Sequence, residues 1–302
     1  MPSSSTTADG ERSQWGPGEG PLRGLTVVVT GGSRGIGREL VRQLLAPGRR
    51  NVVFAACRDP AAAGLPAAGL PAAWPDAAQK GRLVVTALDV ASERSIAAWV
   101  EHELAGVQRV DVLVNCAGIY LPSSKTFGTV ATDDMVRTFR TNACGPLLVA
   151  QALVNAGKLG GGGPGLVANV SSNLASLAWN APDESGRDAG ARYAYRAAKC
   201  ALNAVSRSMA VDLAPRRIAT VLLHPGHGEK LRPPRRGEGR RTDFGSEIKV
   251  KTDMTKGRER PGFVETEEAV AGMLTVLDVA RPGGLNGLNG RWFDRHGEEI
   301  PW

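Results

Sequence analysis

Long apolar runs are missing from this 302-residue chain. The longest, such as TVVVT, NVVFAAC and VDVLVN, have the length of strands and fall far short of the roughly 18 residues that span a bilayer, so no membrane partner is expected. Paired cysteines are missing as well. Cys57, Cys116, Cys144 and Cys200 are scattered without companion spacing, which excludes a disulfide scaffold and a cysteine-based zinc site. With no secretory signal to open the chain, this cysteine usage predicts free thiols in a reducing compartment, the cytoplasm. Only four histidines occur, and His224 and His227 are too isolated to hold a metal. A G-x-S-x-G elbow is absent, which removes a serine hydrolase. The net charge is +7, yet no basic stripe is interleaved with aromatic residues. Residues 227–249 alone carry seven Lys/Arg against four Asp/Glu, so no nucleic-acid partner is expected.

What is present is a regular alternation. From Leu25 the strand-like runs LTVVVTG, NVVFAAC, LVVTALD, VDVLVNCAG, GLVANVSS, IATVLLHPG and RWFD are separated mostly by helix-like stretches, among them RELVRQLLA, SIAAWVEHEL and EEAVAGMLTVLDVA. Strands that read as continuous Val/Leu/Ala are buried on both faces, and βα alternation predicts a parallel sheet covered by helices. The expected fold is α/β, a single-domain, doubly wound parallel sheet of Rossmann type over residues 23–302. Residues 1–22 read as a disordered tail, 59–81 as a low-complexity loop containing AAGLPAAGLP, and 227–249 as a basic insertion.

The first strand runs into TGGSRGIG at residues 30–37, and a helix follows. Gly31, Ser33, Arg34, Gly35, Ile36 and Gly37 would form a tight turn in which the backbone approaches a pyrophosphate at a helix N-terminus. The second strand ends in AACRD, with Arg58 near where an acid would hold the ribose of NAD. Arg34 and Arg58 would suit a 2′-phosphate, favouring NADP(H) over NAD(H). The third strand is expected to end at Asp89 and Val90, suited to an adenine edge. The fourth ends in Asn115, Cys116, Ala117 and Gly118, a backbone against which a sugar can lie. Ser172 follows the fifth. In ARYAYRAAK, residues 191–199, helical spacing puts Tyr195 beside Lys199 and leaves Tyr193 off that face. The plain alternative is a packed ring beside a solvated lysine.

In this order, TGGSRGIG, NCAG, Asn142, Ser172, Tyr195-x-x-x-Lys199 and HPG at 224–226 resemble the short-chain dehydrogenase/reductase family, over about residues 23–302. YAYRAAKCALN, VKTDM at 250–254 and the closing GEEIPW are similar to its C-factor-like carbonyl reductase branch. The resemblance implies that Tyr195 exchanges a proton with the substrate oxygen while the nicotinamide exchanges a hydride. Lys199 would lower the phenol's pKa and hold the ribose, Ser172 would bind the oxygen, and Asn142 would support a proton relay. Pro225, Gly226 and Thr252 would contact the cofactor. Family members run from the Pro-Gly pair directly into V-x-T; here residues 227–249 intervene, and without them the chain reads HPGVKTDM. The insertion resembles a retained non-coding segment or variant splice product that displaces Thr252 and impairs the enzyme. Cys116, where a second asparagine is usual, is expected to loosen its turn. The expected function is NADP(H)-dependent reduction of an aldehyde or ketone by a homodimer or homotetramer. A dinucleotide-binding signalling or interaction protein is the alternative.

Overall fold

The structure, a computed structural model, describes residues 22–65, 82–122, 126–181, 190–226, 264–280 and 287–302. Seven strands form one sheet: β1 (Thr26–Thr30), β2 (Val52–Cys57), β3 (Leu83–Ala87), β4 (Val112–Asn115), β5 (Gly165–Val170), β6 (Ile218–His224) and β7 (Trp292–Asp294). Their order is β3-β2-β1-β4-β5-β6-β7, and all adjacent pairs are parallel. Side chains alternate across a strand, and both faces here are apolar. Val27 and Val29 enter one core with Val53, Ala55, Val112 and Val114. Val28 enters the other with Phe54, Ala56 and Leu113.

Helices cover both faces. The first core receives α1 (Gly35–Leu44) and α6 (Thr266–Ala280) through Leu40, Leu44, Met273 and Leu277. The second receives α2 (Glu93–Ala98), α4 (Gly145–Asn155) and α5 (Tyr193–Asp212) through Ile96, Leu153 and Met209. Ser92 caps α2 by accepting the Ser95 N–H at 3.2 Å, which satisfies one of the helix's orphan donors. A further helix, α3 (Thr132–Phe139), carries Val136 and Phe139 and passes through a π-helical turn at Arg140–Cys144 into α4. Both of those residues are exposed.

Three boundaries differ from the sequence reading. Leu22, read as the last residue of the tail, is fully buried, and its carbonyl accepts from Asn51 Nδ2 at 3.1 Å. Strand β3 stops at Ala87, short of Asp89 and Val90. There the Asp89 N–H turns to Ser95 Oγ and the Asp89 carboxylate accepts from the Ala91 N–H, which takes the backbone out of the ladder. The loop at 59–81 begins as a short 3-10 turn, Ala61–Ala63, and Ala63 and Leu65 join the core. The rest of that loop, the tail before Leu22, the insertion 227–249 and Thr252 lie outside the described residues. No helix among the described residues is long and apolar enough to cross a membrane.

A pairing distant in sequence joins α6 to the rest. Arg49, which precedes β2, meets Asp278 of α6 through two bonds of 2.8 and 2.9 Å, with both side chains largely buried. Removing one partner of a buried ion pair strands the other charge. Asp278→Ala should therefore lower the unfolding free energy by about 3 kcal/mol in a urea titration. A loss below about 1 kcal/mol would place the pair among solvated surface bridges.

Candidate active site

Where the strand order reverses, between β1 and β4, the carboxyl ends of a doubly wound sheet part to leave a crevice. The glycine turn lies on its floor. Gly31 takes φ +70°, and its N–H donates to the Ala56 carbonyl at 2.8 Å, which seats the turn against the end of β2. A Cβ on Gly37 would stand 2.2 Å from the Gly31 carbonyl oxygen, and one on Gly31 would stand 2.8 Å from the Ala117 Cα. No side chain fits at either position. Ser33 is half-buried; Ile36 packs against Val264 and Ala269. Arg34, exposed, precedes α1, and Arg58, also exposed, follows β2.

The turn after β4 is bound to the same edge. The Cys116 and Ala117 N–H groups both donate to Thr30 Oγ1, at 3.1 and 3.2 Å, so Cys116 does not loosen it. The Asn115 side chain is buried and faces inward, donating to the Pro146 carbonyl and to Asn169 Oδ1 at 2.9 Å. Asn169 in turn donates to Ser206 Oγ at 2.8 Å. Pro225 and Gly226 are buried at the end of β6, and the Val90 carbonyl lies against Gly145.

Asn142 sits in the π-helical turn between α3 and α4. Its Oδ1 accepts the Ile119 N–H at 2.8 Å, and its Nδ2 donates to the Ile119 carbonyl at 2.9 Å. A π turn re-aims side chains within a helix, and here it sends an asparagine from a helix to the loop after Gly118. A Cβ on Gly118 would stand 3.3 Å from Asn142 Oδ1 and 3.9 Å from Lys199 Nζ, so β4's end, the π turn and α5 converge on one point. Lys199 is buried and donates to the Val170 carbonyl at 2.7 Å. Its Nζ is 6.0 Å from the Tyr195 ring centroid. Ser172 follows β5 and caps a 3-10 turn at Asn173–Ala175, accepting the Leu174 N–H at 3.3 Å. Its hydroxyl is close enough to the Tyr195 phenol to influence that group's titration.

Burial controls the titration of this group. It pushes the Tyr195 phenol up to about 12; the nearby Ser172 hydroxyl opposes it, while Cys116 and Tyr120 add to it. In this environment loss of hydration outweighs the opposing influence of Ser172. Burial lowers the Lys199 ammonium to about 8, against the pull of Cys116. The Cys116 thiol itself is pushed up to about 12, again by burial.

All three of the chain's tyrosines gather here. Tyr120 meets Tyr195 edge to face with centroids 5.6 Å apart, and Tyr193 tilts against the exposed Phe127 at 6.1 Å. Sequence reading missed the supports. Arg196 on α5 donates to the Gly190 carbonyl at 2.8 Å and the Leu174 carbonyl at 3.1 Å, clamping both arms of the loop between Ser172 and Tyr195. His224 Nδ1 accepts the Asn173 N–H at 3.4 Å. Ser171 Oγ donates to Asn203 Oδ1 at 2.6 Å. Arg196 and Asn203 stand four residues apart from Arg192 and Lys199 along the helix, a spacing that marks faces but not partners.

Residues 25–229 match the family model for short chain dehydrogenase. The chain belongs to that family. Within it, the chain is 39% identical over 200 residues to C-signal of Myxococcus xanthus, covering 64% of this chain and 93% of that protein. It is 29% identical to retinol dehydrogenase 14 of Mus musculus, covering 96% of this chain and 83% of the other. The NADPH-bound carbonyl reductase from chicken fatty liver superposes with a TM-score of 0.68 at 28% identity, over 93% of this chain and all of that one. A short-chain dehydrogenase/reductase from Burkholderia multivorans with bound NADP gives 0.67 at 28% identity, over 92% and 99%.

As a member of this family, the chain offers a direct check on its half-buried phenol. In an alkaline ultraviolet titration, the difference between wild type and Tyr195→Phe should show no phenolate band until pH approaches about 12. A band at or below the ordinary value of about 10 would mean that Tyr195 is hydrated or faces a cation.

Proposed function

We propose that this short-chain oxidoreductase uses NADP(H) to reduce an aldehyde or ketone, with Tyr195 as the proton donor. The observation that carries the reading is the half-buried Tyr195, whose phenol is close enough to Ser172 to feel its hydroxyl, with a buried Lys199 on the same helix face. A protonated phenol is the form that reduction needs, since it gives its proton to the substrate oxygen. The predominantly reduced state of cellular NADP favours the same direction.

The roles follow from position. A bound nicotinamide dinucleotide supplies the hydride. Gly31 and Gly37 leave the bare backbone that a pyrophosphate needs, at the N-terminus of α1. Arg34 and Arg58 stand exposed at that edge, where a pair of guanidinium groups suits a 2′-phosphate. The substrate oxygen lies between Ser172 and Tyr195: the serine orients it and the phenol protonates it. Lys199, the more acidic of the two groups, returns a proton to the phenolate left behind. Asn142 holds the Ile119 backbone, and through it the floor under Lys199. Asp89, Val90, Ala117 and Gly118 take the adenosine and ribose side, with Asn115 bracing β4 against β5. Pro225, Gly226 and Thr252 take the carboxamide side, and the insertion at 227–249 lowers turnover by displacing Thr252. A cytoplasmic dimer or tetramer completes the reading. The buried stripe of α5, Ala194, Ala198, Leu202 and Met209, packs inward, so a subunit contact would use other surfaces.

The alternative, a signalling protein for which occupancy alone matters, draws support from the similarity to C-signal. Tyr195→Phe separates the two. It should reduce aldehyde turnover by at least about 10²-fold and leave NADPH fluorescence titration unchanged; retained turnover would remove Tyr195 from the chemistry. Arg58→Ala should weaken NADPH binding by about tenfold or more, as expected for loss of a charge-assisted hydrogen bond, and spare NADH. An equal loss for both dinucleotides would show that Arg58 does not read the phosphate.

A further inference from the structure

The loop that carries Ser172 does not depend on β5 and α5 alone. After the 3-10 turn at Asn173–Ala175 it continues through Ser176, Ala178 and Asn180, and its central bonds go to the last two residues of the chain. Ser176 Oγ donates to the Pro301 carbonyl at 2.7 Å while accepting the Trp179 N–H at 3.1 Å. The Ala178 N–H donates to Trp302 O at 3.1 Å. These residues are themselves held. After β7 the chain reverses at a turn in which Asp294 Oδ1 accepts the His296 and Glu298 N–H groups, at 2.8 and 2.9 Å, and Gly297 adopts φ +79°. The returning arm then runs back along β7, with the Ile300 N–H on the Trp292 carbonyl at 2.9 Å. Ile300 is buried with Ala175 and Trp292, and the Trp302 ring lies 6.0 Å from that of Trp292.

We propose that Pro301 and Trp302 form a positioning strap that holds the loop at 176–180 beside Ser172 and so sets the affinity for the carbonyl substrate. The inference rests on the reductase reading for its substrate, but not for its geometry. Three features separate a positioning role from general support. Pro301 and Trp302 are exposed, so removing them takes no fully buried side chain from the core. Their polar contacts are accepting oxygens presented to one loop, in which the Ser176 hydroxyl and the Ala178 N–H find their partners. They also lie beyond β6 and β7, at the far side of the sheet from the glycine turn between β1 and β4. A change at the strap should therefore reach the substrate and not the dinucleotide.

The test compares wild type with a chain lacking Pro301 and Trp302, with Ser176→Ala, with Ser176→Thr and with the deletion and Ser176→Ala combined. Each is assayed with NADPH and 4-nitrobenzaldehyde and by amide hydrogen exchange over residues 173–180. The deletion and Ser176→Ala should each raise KM by about tenfold, the equivalent of one or two ordinary hydrogen bonds. The value of kcat should change by less than about twofold, the signature of lost substrate binding. NADPH affinity should hold, exchange should accelerate, and the combined variant should be no worse than either alone. Ser176→Thr, which keeps the hydroxyl, should behave as wild type. Unchanged KM and exchange would overturn the strap, and so would NADPH affinity falling in step with KM. If the deletion does not accumulate as folded protein, Ser176→Ala against Ser176→Thr decides. A wild-type chain that binds NADPH but reduces no aldehyde overturns the reductase reading instead, and the strap then stands or falls on exchange alone.

Discussion

A parallel sheet buried on both faces leaves a ligand almost nowhere to go except the ends of its strands. Val27, Val28 and Val29 show the constraint within three residues: the first and third are sealed under α1 and α6, and the second under the opposite helices. The inner strands of the sheet are hydrogen-bonded to a neighbour on each side, so the free polar groups and the reversal of strand order coincide at the carboxyl edge. The glycine turn after β1, the turn after β4, Ser172 after β5 and Pro225–Gly226 after β6 all stand along that edge. The candidate site is a consequence of how the core is closed.

Burying polar groups at that edge requires partners, and the partners are what make the geometry definite. Asn115 links β4 to β5 through Asn169, which reaches Ser206 on α5. Lys199 is fastened to the Val170 carbonyl, and Ser171 to Asn203. These bonds fix α5 against the sheet in register as well as in distance. Tyr195 therefore meets Ser172 without being able to slide along the helix axis. The same exclusion of water that stiffens the network holds the phenol protonated and brings the lysine down toward neutral pH. Structure and acid–base behaviour have one cause.

Support for the substrate side comes from a different part of the chain. The loop after Ser172 is gripped by Arg196 from α5, by His224 from β6 and by Pro301–Trp302 from the arm that returns along β7. The dinucleotide side is held by Thr30, by the glycines and by Ile36 packed under α6. The two halves of the crevice thus have separate mountings, and substrate recognition can vary while the glycine turn stays constant.

Much of this was legible in the chain itself. Seven strand-like runs, the glycine turn and the four-residue spacing of Tyr195 and Lys199 follow from local rules: strands alternate with period two, helices repeat near four, and only glycine has no Cβ to clash. The family resemblance added Asn142 and Ser172 in their order. Local rules also misplaced what depends on neighbours. Asp89 and Val90 look like the end of β3, but Ser95 and the Ala91 N–H take them out of the ladder. Cys116 reads as a loose replacement, yet Thr30 ties the turn. By itself the sequence determined the order of elements, the parallel sheet and the placing of Tyr195 and Lys199 on one helix face, because those are set by spacing along one chain. Only the tertiary structure decided which polar groups are dry, which partners they find across dozens of residues and where the last residues dock, because burial is a property of the assembled core and not of any segment.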